Sequence, residues 1–80
     1  IITIFVVRNR NILLSMKTIK ISAILSILEK DGWRVVRQKG SHRQLKHPSK
    51  KGTVTVNGKP SDVVWGFLLR SIESQADLKF

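Results

Sequence analysis

Both histidines of this chain fall within one eleven-residue stretch, Gln38-Lys39-Gly40-Ser41-His42-Arg43-Gln44-Leu45-Lys46-His47-Pro48. Imidazole titrates near neutral pH, so it can give or take a proton where the neighbouring side chains cannot. Lys39, Arg43 and Lys46 place positive charge in the same stretch, which suits a phosphate-bearing partner. Proton transfer beside a bound phosphate is the chemistry of RNA cleavage. A base removes the 2′-hydroxyl proton, cations stabilise charge at phosphorus, and an acid protonates the leaving oxygen. On this reading His42 can supply acid–base chemistry, although by residue type alone a lone surface histidine reads first as an idle, solvated side chain. Lys39, Arg43 and Lys46 are candidates to hold phosphate. The turn at Gly40 and Ser41 adds backbone N–H donors, and Arg37, Lys50 and Lys51 extend the basic edge. His47, beside Pro48, reads as a hydrogen-bonded strand terminator. Ser41 would need an adjacent activating base to act as a nucleophile, so its expected role is to orient His42 or the backbone. Two histidines without a nearby carboxylate make a poor ligand set, and neither a metal nor another cofactor is expected.

The composition agrees with an anionic partner. Eighty residues carry 15 Lys+Arg against 5 Asp+Glu, a formal net charge of +10. In a domain this small, such a balance points to nucleic acid, an anionic surface or an acidic protein. The chain has no cysteine, which excludes disulfides and thiolate metal sites and matches a reducing compartment such as the cytoplasm. No stretch approaches the ~20 apolar residues that span a bilayer, so no membrane partner is expected.

The elements that position the basic stretch follow from periodicity. Ile21, Ile24, Leu25 and Leu28 recur at i, i+3, i+4, i+7, the stripe of an amphipathic helix over about residues 20–30. Gly32 closes it. Trp33 to Gln38 reads as a strand, with Trp33 sharing the buried parity of Val35. Lys39-Gly40-Ser41 turns the chain, His42 to Lys46 returns, and Pro48 stops it. Thr53-Val54-Thr55-Val56 alternates as a third strand. If Leu45 faces the core, Arg43 shares its face, and His42, Gln44 and Lys46 face outward, with His42 beside Lys46. Ser61 or Asp62 is the expected N-cap of the last helix, and Trp65, Leu68, Leu69, Ile72 and Ala76 its apolar stripe. The expected fold is α+β, in the order α-β-β-β-α, with two helices on one face of a three-stranded antiparallel sheet.

Residues 1–15 differ in character. Ile1 to Val7 is apolar and largely β-branched, Arg8 to Asn11 polar, and Ile12 to Leu14 apolar again, ahead of the only methionine, Met16. The charges follow the apolar run rather than precede it, so the segment fails as a signal peptide. It reads as an extension from upstream of the natural start, with 16–80 the domain; an extra strand at Thr3 to Val7 is the rival reading.

From Met16 onward the chain resembles the HicA family of toxin–antitoxin RNA interferases. The resemblance rests on Leu28-Glu29-Lys30-Asp31-Gly32-Trp33, Arg37-Gln38-Lys39-Gly40-Ser41-His42, His47-Pro48, Val54-Thr55-Val56, Gly58-Lys59-Pro60-Ser61-Asp62 and Leu69-Arg70-Ser71-Ile72 with Gln75-Ala76. It implies a double-stranded-RNA-binding-domain-like fold and a metal-independent endoribonuclease that cleaves mRNA. It implies as well a HicB-like antitoxin that covers the active surface. The family's catalytic histidine lies in its Gly-Ser-His motif, here His42. One segment departs: where the family carries Pro-Gly-Thr-Leu before the last helix, this chain has Gly66-Phe67-Leu68-Leu69, with Phe67 at the glycine position. The competing expectation is a non-catalytic RNA-binding module of the same shape, which would bind RNA with the same salt sensitivity but not cut it.

Overall fold

The computed structural model describes residues 17–80, and the readings of residues 1–15 lie outside them. The elements run β1 (Thr18–Lys20), α1 (Ile21–Asp31), β2 (Arg34–Lys39), β3 (His42–Lys46), β4 (Val54–Asn57), β5 (Val63–Trp65) and α2 (Gly66–Ala76). Strands β2, β3 and β4 form the expected antiparallel meander, and β1 pairs with β5 in a separate two-stranded ribbon. Helix α1 buries Ile21, Ile24 and Leu28, and α2 buries Leu69, Ile72 and Ala76. They share one core with Trp33, Leu45, Val54, Val56 and Val64. Strand β3 alternates exposed and buried from His42 to Lys46, and β4 alternates in the opposite phase. One face of the sheet therefore carries the helices, and the other is open.

The ribbon was not expected, because three-residue strands are too short to carry a period. Its pairing puts Thr18 opposite Trp65 and Lys20 opposite Val63. This corrects the start of the last helix. Asp62 does not cap it: its carboxylate accepts the Lys59 N–H at 2.9 Å and closes the Lys59–Asp62 turn. Val63–Trp65 instead finds β1 as a partner, and α2 begins at Gly66, whose φ is +59°. Trp65 and Leu68 leave the predicted buried stripe and stand 56% and 70% exposed. The same turn caps α1. With no side-chain cap at Lys20, the Ile21 and Ser22 N–H groups donate to the Asp62 and Pro60 carbonyls at 2.8 and 3.0 Å, satisfying donors that a helix start leaves unpaired.

Helix α1 ends in a Schellman arrangement, with Gly32 N–H donating to the Glu29 carbonyl and Trp33 N–H to that of Leu28. The turn delivers Trp33 into the core, 1% exposed. It also presses Gly32 against His47: a Cβ at Gly32 would meet Nε2 at 2.7 Å, and its φ is +110°. That ring cannot step aside. Its Nε2–H donates to the Asp31 carbonyl at 2.6 Å, and Nδ1 accepts the Ser49 and Lys50 N–H groups at 3.0 Å each. Trp33 meets the ring edge-on at 5.2 Å. Gly32→Ala should thus lower stability by ~1–3 kcal/mol. At roughly 4–8 °C per kcal/mol for a domain of this size, a thermal melt resolves the drop. An unchanged melting temperature would mean that His47 is not held as described.

Strand β2 departs from the expected parity. All six of its residues are exposed, and Val35 is 46% exposed rather than core. The register shifts between Val35, opposite Leu45, and Arg37, opposite Gln44. Val36 is the extra residue of a bulge. Side chains on a regular strand alternate, so without the bulge Arg37 and Lys39 would share Val35's inward face. With it, both join the open face of the sheet.

Candidate active site

The β2–β3 turn brings the chemistry together. Lys39 pairs with His42 across a two-residue loop of Gly40 and Ser41, and only Gly40, at φ +58°, has a positive φ. This is the pattern of a type II′ turn, whose twist matches that of the flanking strands. An added Cβ at Gly40 would touch nothing within 4 Å, so the glycine serves the backbone angle rather than close packing. Strand β4 completes the row, with His42 opposite Asn57 and Gln44 opposite Thr55. Arg37, Lys39, His42, Gln44, Thr55 and Asn57 line a shallow cleft of about 320 Å³ on the open face.

Within it, His42 Nδ1 lies 2.8 Å from Asn57 Oδ1. An amide oxygen only accepts, so Nδ1 carries the proton and Nε2 keeps its lone pair. The same contact persists when the ring is doubly protonated, because Nδ1–H donates in both states. Asn57 therefore orients the imidazole whether the ring is neutral or doubly protonated. The charges lining the cleft are all positive: none of the chain's five acids borders it. An anion entering there meets Arg37 and Lys39 without a competing carboxylate.

Other residues of the predicted set are placed elsewhere. Arg43 points inward as its parity required and is 7% exposed. Its guanidinium donates to the carbonyls of Gly58 at 2.9 Å and Ser41 at 3.3 Å, tying the turn to the end of β4 behind the His42–Asn57 pair. That removes it from the open face. Ser41 contributes its carbonyl, which also accepts the Gly58 N–H at 3.1 Å. Lys46 shares the outward face but lies four residues along the strand, ~13 Å at the usual rise, opposite Arg34; it is not beside His42. Lys50 lies past the far end of β3. Its ammonium bonds Asp31 Oδ2 at 2.7 Å and the Ala76 and Asp77 carbonyls at 3.1 and 3.2 Å, joining the ends of the two helices. This hydrogen bond and the charge of Lys50 hold the Asp31 carboxyl below its ordinary range. Lys51, in the same loop, is exposed. His47, half-buried among its three backbone partners, takes the structural part expected of it.

Asn57, Gln44 and Thr55 were missed. A two-residue turn reveals which residues face each other across β2 and β3, whereas the longer β3–β4 connection leaves that register open. The strand pattern of Thr53 to Val56 is the available signal, and Asn57 lies one residue beyond it. Among the described residues no group of three His, Cys, Asp or Glu could hold a metal ion, and no helix is long and apolar enough to cross a membrane.

No curated protein matches the chain. Over residues 21–78 it matches the family described as the HicA toxin of bacterial toxin–antitoxin systems. The matched span runs from the first residue of α1 to just beyond α2 and includes the whole cleft. The protein is a member of the HicA toxin family.

Proposed function

We propose that this chain is an endoribonuclease toxin that cleaves mRNA, with His42 as its acid–base group. The observation that carries the reading is the His42 Nδ1–Asn57 Oδ1 contact of 2.8 Å. It leaves Nε2 as a base in a cleft whose charged lining is Arg37 and Lys39. Nε2 takes the 2′-hydroxyl proton as the 2′-oxygen attacks phosphorus. A 2′,3′-cyclic phosphate forms and the P–O5′ bond breaks. The imidazolium then returns its proton to the leaving 5′-oxygen, which restores the neutral ring. Arg37 and Lys39 offset the charge that builds on the phosphoryl oxygens. Turn N–H groups near Gly40 are further donors on that side.

A HicB-like antitoxin silences the toxin by covering this cleft, and the net charge of +10 favours an acidic partner. Its mRNA substrate places it in the cytoplasm.

The test is a single-turnover assay with labelled RNA in chelator, run beside a binding titration at several salt concentrations. Cleavage should persist in chelator. Lys39→Ala should weaken RNA binding and reduce its salt slope by nearly one counterion. Lys46→Ala, ~13 Å along β3, should alter cleavage much less than Lys39→Ala does. Equal effects from both would place the scissile phosphate away from His42. A protein that binds RNA with this salt dependence and never cuts it is the non-catalytic module instead.

A further inference from the structure

Beside the His42 cleft runs a second hollow of similar size, about 320 Å³, between the free edge of β4 and helix α2. The two share Thr55 and Asn57 as lining residues. We infer that this groove is a nucleobase subsite, holding the base of a nucleotide adjacent to the scissile phosphate, with Asn57 as the wall between base recognition and proton transfer. The inference rests on the RNA-cleaving reading above.

Four observations lead to it. The volume lies at the small end of ligand sites, roughly 300–1,000 Å³, room for a single base rather than a duplex. Its floor is apolar: Val64 and Ile72 are each 6% exposed, while Leu68 stands at the mouth, 70% exposed. A flat ring can lie against such walls, as unpaired bases do on protein side chains. Its rim donates hydrogen bonds. Ser71 Oγ accepts from Gln75 Nε2 at 3.1 Å, so its own hydrogen remains to be given. Asn57 uses its oxygen on His42, and its NH₂ group is left to donate. The rim therefore suits the carbonyl oxygens and ring nitrogens of a base edge. A base held by the Asn57 NH₂ also fixes the amide orientation that aims Oδ1 at His42, so the right base would improve catalysis as well as binding.

The fourth observation concerns what else could lie there. The edge of β4 would be open to an added protein strand, but Gln75 Oε1 already takes the Thr55 N–H at 2.9 Å. Strand addition is blocked at the residue that lines both hollows. A base asks nothing of that backbone.

The experiment is methyl and histidine NMR on the full chain, titrated with tetranucleotides carrying 2′-fluoro sugars. These lack the attacking hydroxyl and cannot be cleaved. The His42 ring and the Leu68 and Ile72 methyls should all shift. An oligonucleotide abasic at one position should still shift His42 but lose the Ile72 response. Leu68→Trp, at an exposed site, should fill the groove mouth and reduce discrimination among the four bases, measured as kcat/KM, by ~10-fold or more, while His42 still responds. If His42 shifts and Ile72 does not, or if the abasic ligand moves Ile72 equally, the subsite is refuted and the cleavage site stands. If neither moves, both readings fail together. An Ile72 response to the antitoxin alone would make the groove a protein contact and overturn the inference.

Discussion

His42→Ala should lower the single-turnover rate of RNA cleavage by ~10²–10⁴-fold, the usual contribution of a general acid–base group. Toxicity in cells should fall with it. The fold should be unaffected, because His42 is an exposed residue on the open face of the sheet. RNA affinity should also hold, since a neutral imidazole contributes little to phosphate binding and Arg37 and Lys39 remain. The pairing of a rate assay with a binding titration is what makes this decisive: a folding defect would lower both. His47→Ala is the control with the opposite signature. His47 anchors the end of α1 and the loop after β3 through its two nitrogens, so its loss should lower the melting temperature and spare the chemical step in the molecules that stay folded. Should His42→Ala cleave like the parent, the acid–base assignment is wrong.

Asn57→Ala should cost ~10–10²-fold in kcat, the scale of losing a group that orients a reactive side chain, with a smaller rise in KM from the lost contact to the base. The alanine removes the only side chain bonded to His42 Nδ1 among the described residues, so the ring can rotate and exchange tautomers. A purely structural role for Asn57 would instead appear as a lower melting temperature with an unaltered rate per folded molecule. Asn57→Asp separates the two further. A carboxylate still accepts from Nδ1, so orientation survives and much of the lost rate should return relative to alanine. It also brings negative charge toward the phosphate, so KM should rise. If aspartate is as slow as alanine and KM does not move, the contact is not used in the reaction.

The partial legibility of this site has a definite physical origin. His42 stood out because its chemistry is carried by residue type, and the outward parity of β3 follows from Leu45 alone once that side chain is assigned to the core. Helix α1 was readable because its buried residues repeat at the helical period over a full stripe. The start of the last helix is hidden from residue types, since Val63, Val64 and Trp65 are apolar residues whose spacing does not reveal that their partner is β1, more than forty residues earlier. Lys50 reads as a surface cation because charge predicts exposure in general, and Arg43 reads as a phosphate ligand by charge although its parity with Leu45 turns it inward. Each proves to be held by backbone carbonyls that only the fold supplies.

What the amino-acid order determined by itself was local: a glycine turn next to a histidine, two helical stripes, three short strands, and a large excess of positive charge. What the tertiary structure decided was which side chains meet. A single extra residue at Val36 turns Arg37 and Lys39 from the inner face of the sheet to the outer, and a register across a long loop sets Asn57 opposite His42. Neither can be read from residue types, because a bulge or a one-residue slip changes every neighbour of a side chain without changing its period or its hydropathy. Such choices are made by burial of Leu45, Val54 and Val56 against the helices, which selects one register from those the strands could adopt locally.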